Sequence, residues 1–292
     1  MLDPTSFLFI TLDSCRYDTF LAAAAPNLKN LAPLHRAIAP GYFTYASHAA
    51  MFMGFTPGVA SAREPFINPK YGKVFRLVGG GFLNKGTVFV TLRGRNIIDG
   101  LNRLGYLTLG TGAVGWLNPR TPTGRSLTGD FHRYYFPGNS YSLAKQLAWV
   151  QKQLRRVGRR PVFLFINVGE THVPYYYHGA PWSPLSNPCI PFGDHNDAAE
   201  CRRRQTACLE FVDAKLAPLL EQFDHANILV CSDHGDAWGE DGLWEHGVYH
   251  PTVMEVPLLL RLNRPPPSAP AADPAALPWW RRLAHRMKHT LD

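Results

Sequence analysis

Residues 228–247 read ILVCSDHGDAWGEDGLWEHG. The first five have the apolar character of a buried strand, too short for a helix of ordinary length. From Asp233 onward the pattern breaks: Asp233, Asp236, Glu240, Asp241 and Glu245 alternate with His234 and His246. A hydrophobic core does not accept adjacent Asp and His without partners, because burying either one unpaired is costly. A polar cluster directly after a strand therefore points to a site at a sheet edge.

Similar runs recur along the chain. Phe7–Leu12 (FLFITL), Val88–Leu92, Leu107–Thr111, Pro161–Val168 (PVFLFINV) and Val256–Leu262 (VPLLLRL) also read as buried strands. Between them, Leu143, Leu147, Val150, Leu154 and Val157 form one helical stripe after a candidate cap at Ser142. Leu209, Val212, Leu216, Leu219 and Phe223 form another, with Pro218 expected to kink it or end it early. Strands separated by helices predict an α/β fold: a three-layer αβα sandwich around a mostly parallel sheet. In such sheets ligands sit beyond the carboxyl ends of the strands. Two more strand ends are polar there: Asp13 in LDSCRYD, and Glu170, His172 and His178 in GETHVPYYYH. Carboxylates and imidazoles converging from three strand ends suit Zn²⁺, Mn²⁺ or a similar divalent ion.

The three clusters fit one family. SDHGDAWGEDGLWEHG (232–247) resembles the SDHGE…GE…HG signature of the alkaline phosphatase and sulfatase superfamily. It is especially like that of the phosphoethanolamine transferases and lipoteichoic acid synthases. ITLDSCRYD resembles the family's first metal-ligand strand end, and TYASHAAMFMG (44–54) falls where the family carries its nucleophile. GETHVPYYYHG is similar to its His-x-Pro-Tyr loop and LNRLGYLTLGTG (101–112) to its GYxT strand, in the right order across residues 5–262. The resemblance implies an alkaline-phosphatase-like fold, with Asp13, Asp233 and His234 binding one divalent ion and Thr44 on that ion as nucleophile. It implies that His172 and His246 hold the non-bridging oxygens, ligate a second ion, or protonate the leaving group. Arg16 and His48 are implied to orient substrate. The alternatives at this stage are Ser47 as the attacking group, and Glu170 and His250 as supporting residues.

Departures from the family pattern narrow the chemistry. Sulfatases carry C/S-x-P-S-R, whereas this chain reads T-Y-A-S-H from Thr44, and the sulfatase Lys is missing from GTGAVGW (110–116). Formylglycine chemistry is therefore not expected. Cys15, in the Asp13 loop, reads as a packed thiol. The expected activity is metal-dependent hydrolysis of a phosphate monoester, diester or phosphonate through a phospho-threonine. The alternatives are a phosphoryl or phosphoethanolamine-type transferase, a sulfate ester hydrolase without formylglycine, and an inactive metal-binding accessory protein.

Composition sets the surroundings. The 292 residues carry 30 Lys plus Arg against 22 Asp plus Glu, a formal charge of +8, with only 18% charged residues. The basic balance comes from scarce acids and favours an anionic small-molecule ester. No run reaches the length of a membrane span, Phe7–Leu12 lacks the basic flank of a secretory signal, and the five Cys contain no CxxC pair. The expectation is a cytoplasmic protein without a disulfide framework. Residues 1–264 are read as the catalytic domain and 265–278 as a Pro/Ala-rich linker. Residues 279–292 (WWRRLAHRMKHTLD) form a basic amphipathic tail, read as docking a partner rather than nucleic acid.

Overall fold

Both faces of the central strands are covered, which is why they are apolar without alternation. The computed structural model describes residues 2–54 and 95–263, with the backbone of 76–79 and 88–91 between them. Its elements, in chain order, are β1 (Phe7–Leu12), α1 (Tyr17–Ala22), α2 (Pro26–Lys29), β2 (His35–Ile38), α3 (Thr44–Met53), β3 (Arg76–Gly79) and β4 (Val88–Thr91). Then come α4 (Ile97–Arg103), β5 (Leu107–Gly112), α5 (Pro122–Thr128), β6 (Arg133–Tyr135), α6 (Leu143–Leu154), β7 (Val162–Val168) and α7 (Ala198–Gln222). The last are β8 (Asn227–Ser232), β9 (Ala237–Trp238), β10 (Trp244–Glu245), α8 (Pro251–Met254) and β11 (Glu255–Arg261).

Seven strands form one sheet in the order β2-β11-β8-β1-β7-β5-β6. β1 lies at its centre, parallel to β7 and β8 in matched register, so that Leu12 stands beside Val168 and Ser232. β5 continues the parallel set between β7 and β6. β11 runs antiparallel to β8 and to β2. The sheet is thus mostly parallel, as expected, with an antiparallel step at one side.

Alternate residues of the strands feed two cores, following the two-residue period of a strand. Leu8, Ile10 and Leu12 of β1, with Leu164, Ile166 and Val168 of β7, pack against Leu28 of α2, Leu143 and Val150 of α6, and Leu209, Val212 and Leu216 of α7. On the other face Phe9, Phe163 and Phe165 meet Tyr45, Ala49 and Phe52 of α3, with Ile98, Leu127 and Phe131. Helices therefore cover both faces, giving the three expected layers.

Several expectations shift in detail. α7 begins at Ala198, well before the stripe from Leu209, and passes Pro218 to end at Gln222. α3 begins at Thr44 itself. Ser142 precedes α6 but does not cap it; its hydroxyl bonds to the Asn139 carbonyl at 2.5 Å. That capping role belongs to Glu170, whose Oε1 accepts the Leu143 N–H at 2.7 Å. The Pro/Ala tract, the basic tail and most of residues 55–94 lie outside the described residues.

Candidate active site

The parallel strands β1, β7 and β8 end level with one another, so the residues after them share one edge. Asp13 follows β1, and its N–H donates to the Val168 carbonyl of β7 at 2.9 Å. Ser232 closes the other side, its hydroxyl bonding the carbonyls of Leu12 and His234. Asp233 and His234 are thereby held against Asp13. Gly235 must follow: a Cβ there would lie 2.3 Å from the Thr252 carbonyl oxygen. Thr44 arrives from the opposite layer as the first residue of α3.

Asp13, Thr44, Asp233 and His234 are all fully buried. The Thr44 hydroxyl stands 3.3 Å from His234 Nε2 and 3.5 Å from Asp13 Oδ1. His234 Nε2 lies 3.8 Å from Asp13 Oδ1 and 3.6 Å from Asp233 Oδ2. Four donors around a tetrahedral Zn²⁺ at about 2 Å would be separated by about 3.3 Å, close to this spacing. The tautomer fits as well: His234 Nδ1–H points to the Gly235 carbonyl at 3.0 Å, leaving the Nε2 lone pair for the cluster. Asp233 Oδ1 accepts the Ser14 and His234 N–H groups at 3.2 and 3.0 Å. Its Oδ2 is buried without a hydrogen-bond partner. An orphaned carboxylate oxygen beside a second carboxylate is what a cation would relieve. Consistently, burial, then the charge of Asp13, pushes the Asp233 carboxyl well above its ordinary range. Burial, then His246, pushes His234 well below the ordinary imidazole range, keeping it neutral as a ligand must be.

His246 and His172 complete the edge. The His246 ring is 4.4 Å from that of His234 and 5.2 Å from that of His172, centroid to centroid. His246 belongs to a second candidate metal group, with His234 and Asp236, adjoining that of Asp13, Asp233 and His234. Within it His246 Nδ1 bonds Asp236 Oδ1 at 2.7 Å. Burial alone would lower the His246 pKa, but Asp236 outweighs it and the net direction is upward. Asp236 Oδ2 accepts the Tyr175 hydroxyl at 2.8 Å, which in turn accepts Trp238 Nε1–H at 2.8 Å. His172 Nδ1 bonds the Val173 carbonyl at 2.8 Å.

Other sequence candidates lie outside this group. Arg16 is engaged by the protein itself, through Asp18 at 2.9 and 2.8 Å, Glu240 at 2.7 Å and the Asp236 carbonyl at 3.1 Å. Its guanidinium covers Trp238 at 4.2 Å from the ring centre. These contacts pin the Asp13 loop to the 236–240 loop. His48 is fully buried, with Nε2 3.0 Å from Thr11 Oγ1 and Nδ1 2.8 Å from the Thr44 carbonyl. It lies behind the cluster, 3.6 Å from Asp233 Oδ2, where its contacts hold Thr44 and Asp233. Ser47 donates to the Gly41 carbonyl at 3.0 Å. His250 caps α8 through Thr252 N–H and pairs with Asp241 at 3.3 Å. Cys15 is a buried free thiol whose pKa burial raises.

Two supporting residues escape a motif reading. Asn167 on β7 donates to Asp13 Oδ2 at 2.9 Å and accepts the Ala113 N–H at 3.1 Å. Gln205 of α7 donates to the Ser14 and Thr171 carbonyls at 2.9 and 3.0 Å and accepts the Arg16 N–H at 3.2 Å. Of the two, only Asn167 left a trace, as the single polar residue in VFLFINV. Tyr175, by contrast, is the Tyr of the His-x-Pro-Tyr loop.

The architecture matches solved structures across nearly the whole chain. The periplasmic domain of phosphoethanolamine transferase EptC from Campylobacter jejuni superimposes with a TM-score of 0.60, at 14% identity over 90% of this chain and 80% of that one. This chain has the alkaline-phosphatase-like fold. The corresponding domain of EcEptC from Escherichia coli, solved as a complex with Zn, gives 0.57 at 12% identity over 90% and 74%. Phosphonate monoester hydrolase of Agrobacterium radiobacter gives 0.54 at 15% identity over 88% and 68%. No protein-family model and no curated protein sequence matches the chain. Among the described residues, no helix is long and apolar enough to cross a membrane.

Proposed function

We propose that the protein is a metal-dependent hydrolase of phosphate monoesters, diesters or phosphonates, with Thr44 as nucleophile. One observation carries this reading: a threonine hydroxyl at the start of a helix, buried 3.3 Å from His234 Nε2 and 3.5 Å from Asp13 Oδ1. The donor set of Asp13, Thr44, Asp233 and His234 suits one Zn²⁺ or Mn²⁺. When bound, such an ion lowers the pKa of the hydroxyl and offsets charge that builds in the transition state.

The remaining work falls to the chain's own groups. The positive dipole end at the start of α3 favours an anion placed at Thr44. Thr44, its hydroxyl proton released to solvent, attacks phosphorus in line through Oγ; the P–O bond to the ester oxygen breaks, and that oxygen leaves with a proton from His246 or His172. Asp236 fixes His246 with its Nδ1 occupied, so that Nε2 is the atom free to act. The phospho-threonine is then cleaved by water, which returns a proton to Thr44 Oγ and releases phosphate, a phosphate monoester from a diester, or a phosphonate. We assign this activity to residues 1–264.

The fold shared with EptC supports a second reading, in which an alcohol or amine replaces water as acceptor. The experiment is a screen of phosphate mono- and diesters and phosphonate esters with Zn²⁺ or Mn²⁺, beside Thr44→Ala. Expected are acceptor-independent release of the cleaved product and a loss of at least about 10³-fold in Thr44→Ala. Turnover only with an added acceptor establishes the transferase instead. Full activity in Thr44→Ala removes the nucleophile assignment, and no turnover despite metal binding leaves an accessory protein.

A further inference from the structure

The basic balance of the chain is not spread evenly. Residues 131–169 carry seven Lys and Arg and no Asp or Glu, so this stretch holds +7 of the formal +8. The other 253 residues are close to neutral, with 23 cations against 22 acids. The seven are Arg133 of β6, Lys145 and Lys152 of α6, and four Arg in the turn RRVGRR (155–160) that leads into β7. All seven are exposed. Among the described residues none of them is paired with a carboxylate, whereas Arg103, Arg203 and Arg261 each have one. The fold gathers them. Lys145 and Lys152 stand two turns apart and share a face of α6, turned from its buried side of Gln146, Val150 and Gln153. Arg133 donates to Gln153 Oε1 at 2.9 Å, which draws the cation of β6 to the end of α6. Arg160 donates to the Gly105 and Tyr106 carbonyls at 2.7 and 2.9 Å, fixing the basic turn against the α4–β5 turn. Leu104 stands 74% exposed there. His132 registers the same field: burial, then Arg160 and Arg133, lowers its pKa. The carboxylates beside Arg155 are Glu221 and Asp224, in a groove on the α7 side where Arg261 already lies 3.6 Å from Asp224.

We propose that this surface docks the protein on an anionic phospholipid bilayer. Cations gathered without carboxylate partners repel one another, and a plane of phosphate and carboxylate headgroups relieves that repulsion. Clusters of about four to eight Lys and Arg are what such planes attract. Leu104 decides between polyanions. An exposed Leu beside the Arg turn gains by entering the boundary between headgroups and acyl chains, and gains nothing from a nucleic acid backbone. Trp149 lies between Lys145 and Lys152 on the same helical face, but it is not open to a base. It stacks on Tyr135 at 5.7 Å and otherwise packs on the core.

Docking there leaves the candidate active site open. The basic turn enters β7 at Val162, whereas Glu170 and His172 follow its other end at Val168. The length of that strand, about 20 Å, separates the lipid-facing end of the sheet from the catalytic edge. Substrate therefore reaches the site from water, and the bilayer serves as an anchor for the protein.

The test is co-sedimentation of the full-length chain with vesicles of phosphatidylcholine, alone or with about one third phosphatidylserine. Expected is binding to the mixed vesicles only, lost at about 0.5 M salt as the charges are screened. The triple variant Lys152→Glu, Arg156→Glu, Arg159→Glu should lower the partition coefficient about 10²-fold or more, and the corresponding Gln variant less. Both should keep the Tm and far-ultraviolet circular dichroism of the parent, since these side chains are exposed and unpaired. Leu104→Ser should weaken binding about threefold or more with the charge unchanged. In the basic tail, Arg281→Glu, Arg282→Glu, Arg286→Glu together should cost far less than reversal of the patch. No binding to mixed vesicles, equal binding to neutral ones, a tail variant that loses as much as the patch variant, or an unaffected Leu104→Ser would each overturn the proposal. Capture of a DNA oligonucleotide without vesicle binding would make the surface a nucleic-acid face instead. None of these readouts uses ester turnover, so the outcome is independent of the hydrolase reading.

Discussion

Asp236 illustrates how a side chain away from the reacting atoms sets the behaviour of one beside them. Its carboxylate is buried between the His246 Nδ1–H and the Tyr175 hydroxyl, both of which donate to it. In Asp236→Asn the amide offers only one acceptor oxygen, and its NH₂ group must face one of these two donors. If it faces His246, Nδ1 must become the acceptor, and the ring loses the carboxylate that supports its protonated, proton-donating form. The expected outcome is a fall in kcat of about 10²-fold or more with KM changed far less, and partial recovery in Asp236→Glu. The Zn²⁺-induced shift in Tm should survive, separating lost orientation from lost metal. Equal losses in the Asn and Glu variants, or a change confined to KM, would remove Asp236 from this role. The sequence displayed Asp236 and Tyr175 in separate motifs but not their pairing. Tyr175 lies 61 residues away along the chain, and no local pattern links the two.

Among elements, α6 shows a capping group read incorrectly from sequence for a physical reason. Ser142 has the right residue type immediately before the helix, yet its hydroxyl turns back to the Asn139 carbonyl, and Glu170 from beyond the end of β7 accepts the helix's first N–H instead. Long-range packing displaced a local preference. The same limit hid Asn167 and Gln205, whose function is to join loops from different strands. By contrast β1, β7 and β8 were legible because burial on both faces leaves an unbroken apolar run, and their polar ends followed directly. The antiparallel direction of β11 was not legible, since a run such as EVPLLLR carries no sign of direction.

Glu170 makes this capping testable. Its carboxyl is buried, and Oε2 has no partner. Burial, only partly offset by the N–H groups it accepts, raises its pKa from 4.5 to about 7. The folded state therefore binds this proton more tightly than the unfolded state does. Between about pH 4.5 and 7 the native chain holds more protons, so stability falls as pH rises through that window. The full cost, about 3 kcal/mol, is reached above the folded pKa and is absent below the unfolded one. Glu170→Gln keeps the acceptor for Leu143 but never ionises. Its Tm relative to the parent should thus be higher at pH 8 than at pH 5 by roughly 5 °C. A difference independent of pH would show that Glu170 is not charged and discharged in that interval.

At the scale of the molecule, the formal charge of +8 describes a basic chain whose few acids are concentrated. Asp13, Asp233 and Asp236 are all fully buried along one edge of the sheet. The charge of Asp13 raises the Asp233 carboxyl further than burial alone. A fold that holds like charges together in its interior is incomplete in energy without a cation there, and its stability should respond to one. An ion that binds the native but not the unfolded chain stabilises it by about 2.7 kcal/mol at a hundred times its Kd, or roughly 5 °C in Tm at this size. After exhaustive chelation, titration with Zn²⁺ and separately with Mn²⁺ should raise Tm in a concentration-dependent, saturable way, while Mg²⁺ should act less because it prefers six oxygen ligands. Asp233→Asn removes one of the charges that the ion would balance. It should raise the Tm of the chelated protein and abolish the response to metal together. This opposite pair of effects distinguishes a metal centre from an ordinary buried carboxylate, whose loss would lower Tm in both conditions. If neither ion shifts Tm in the parent, the metal-dependent reading of the whole edge fails.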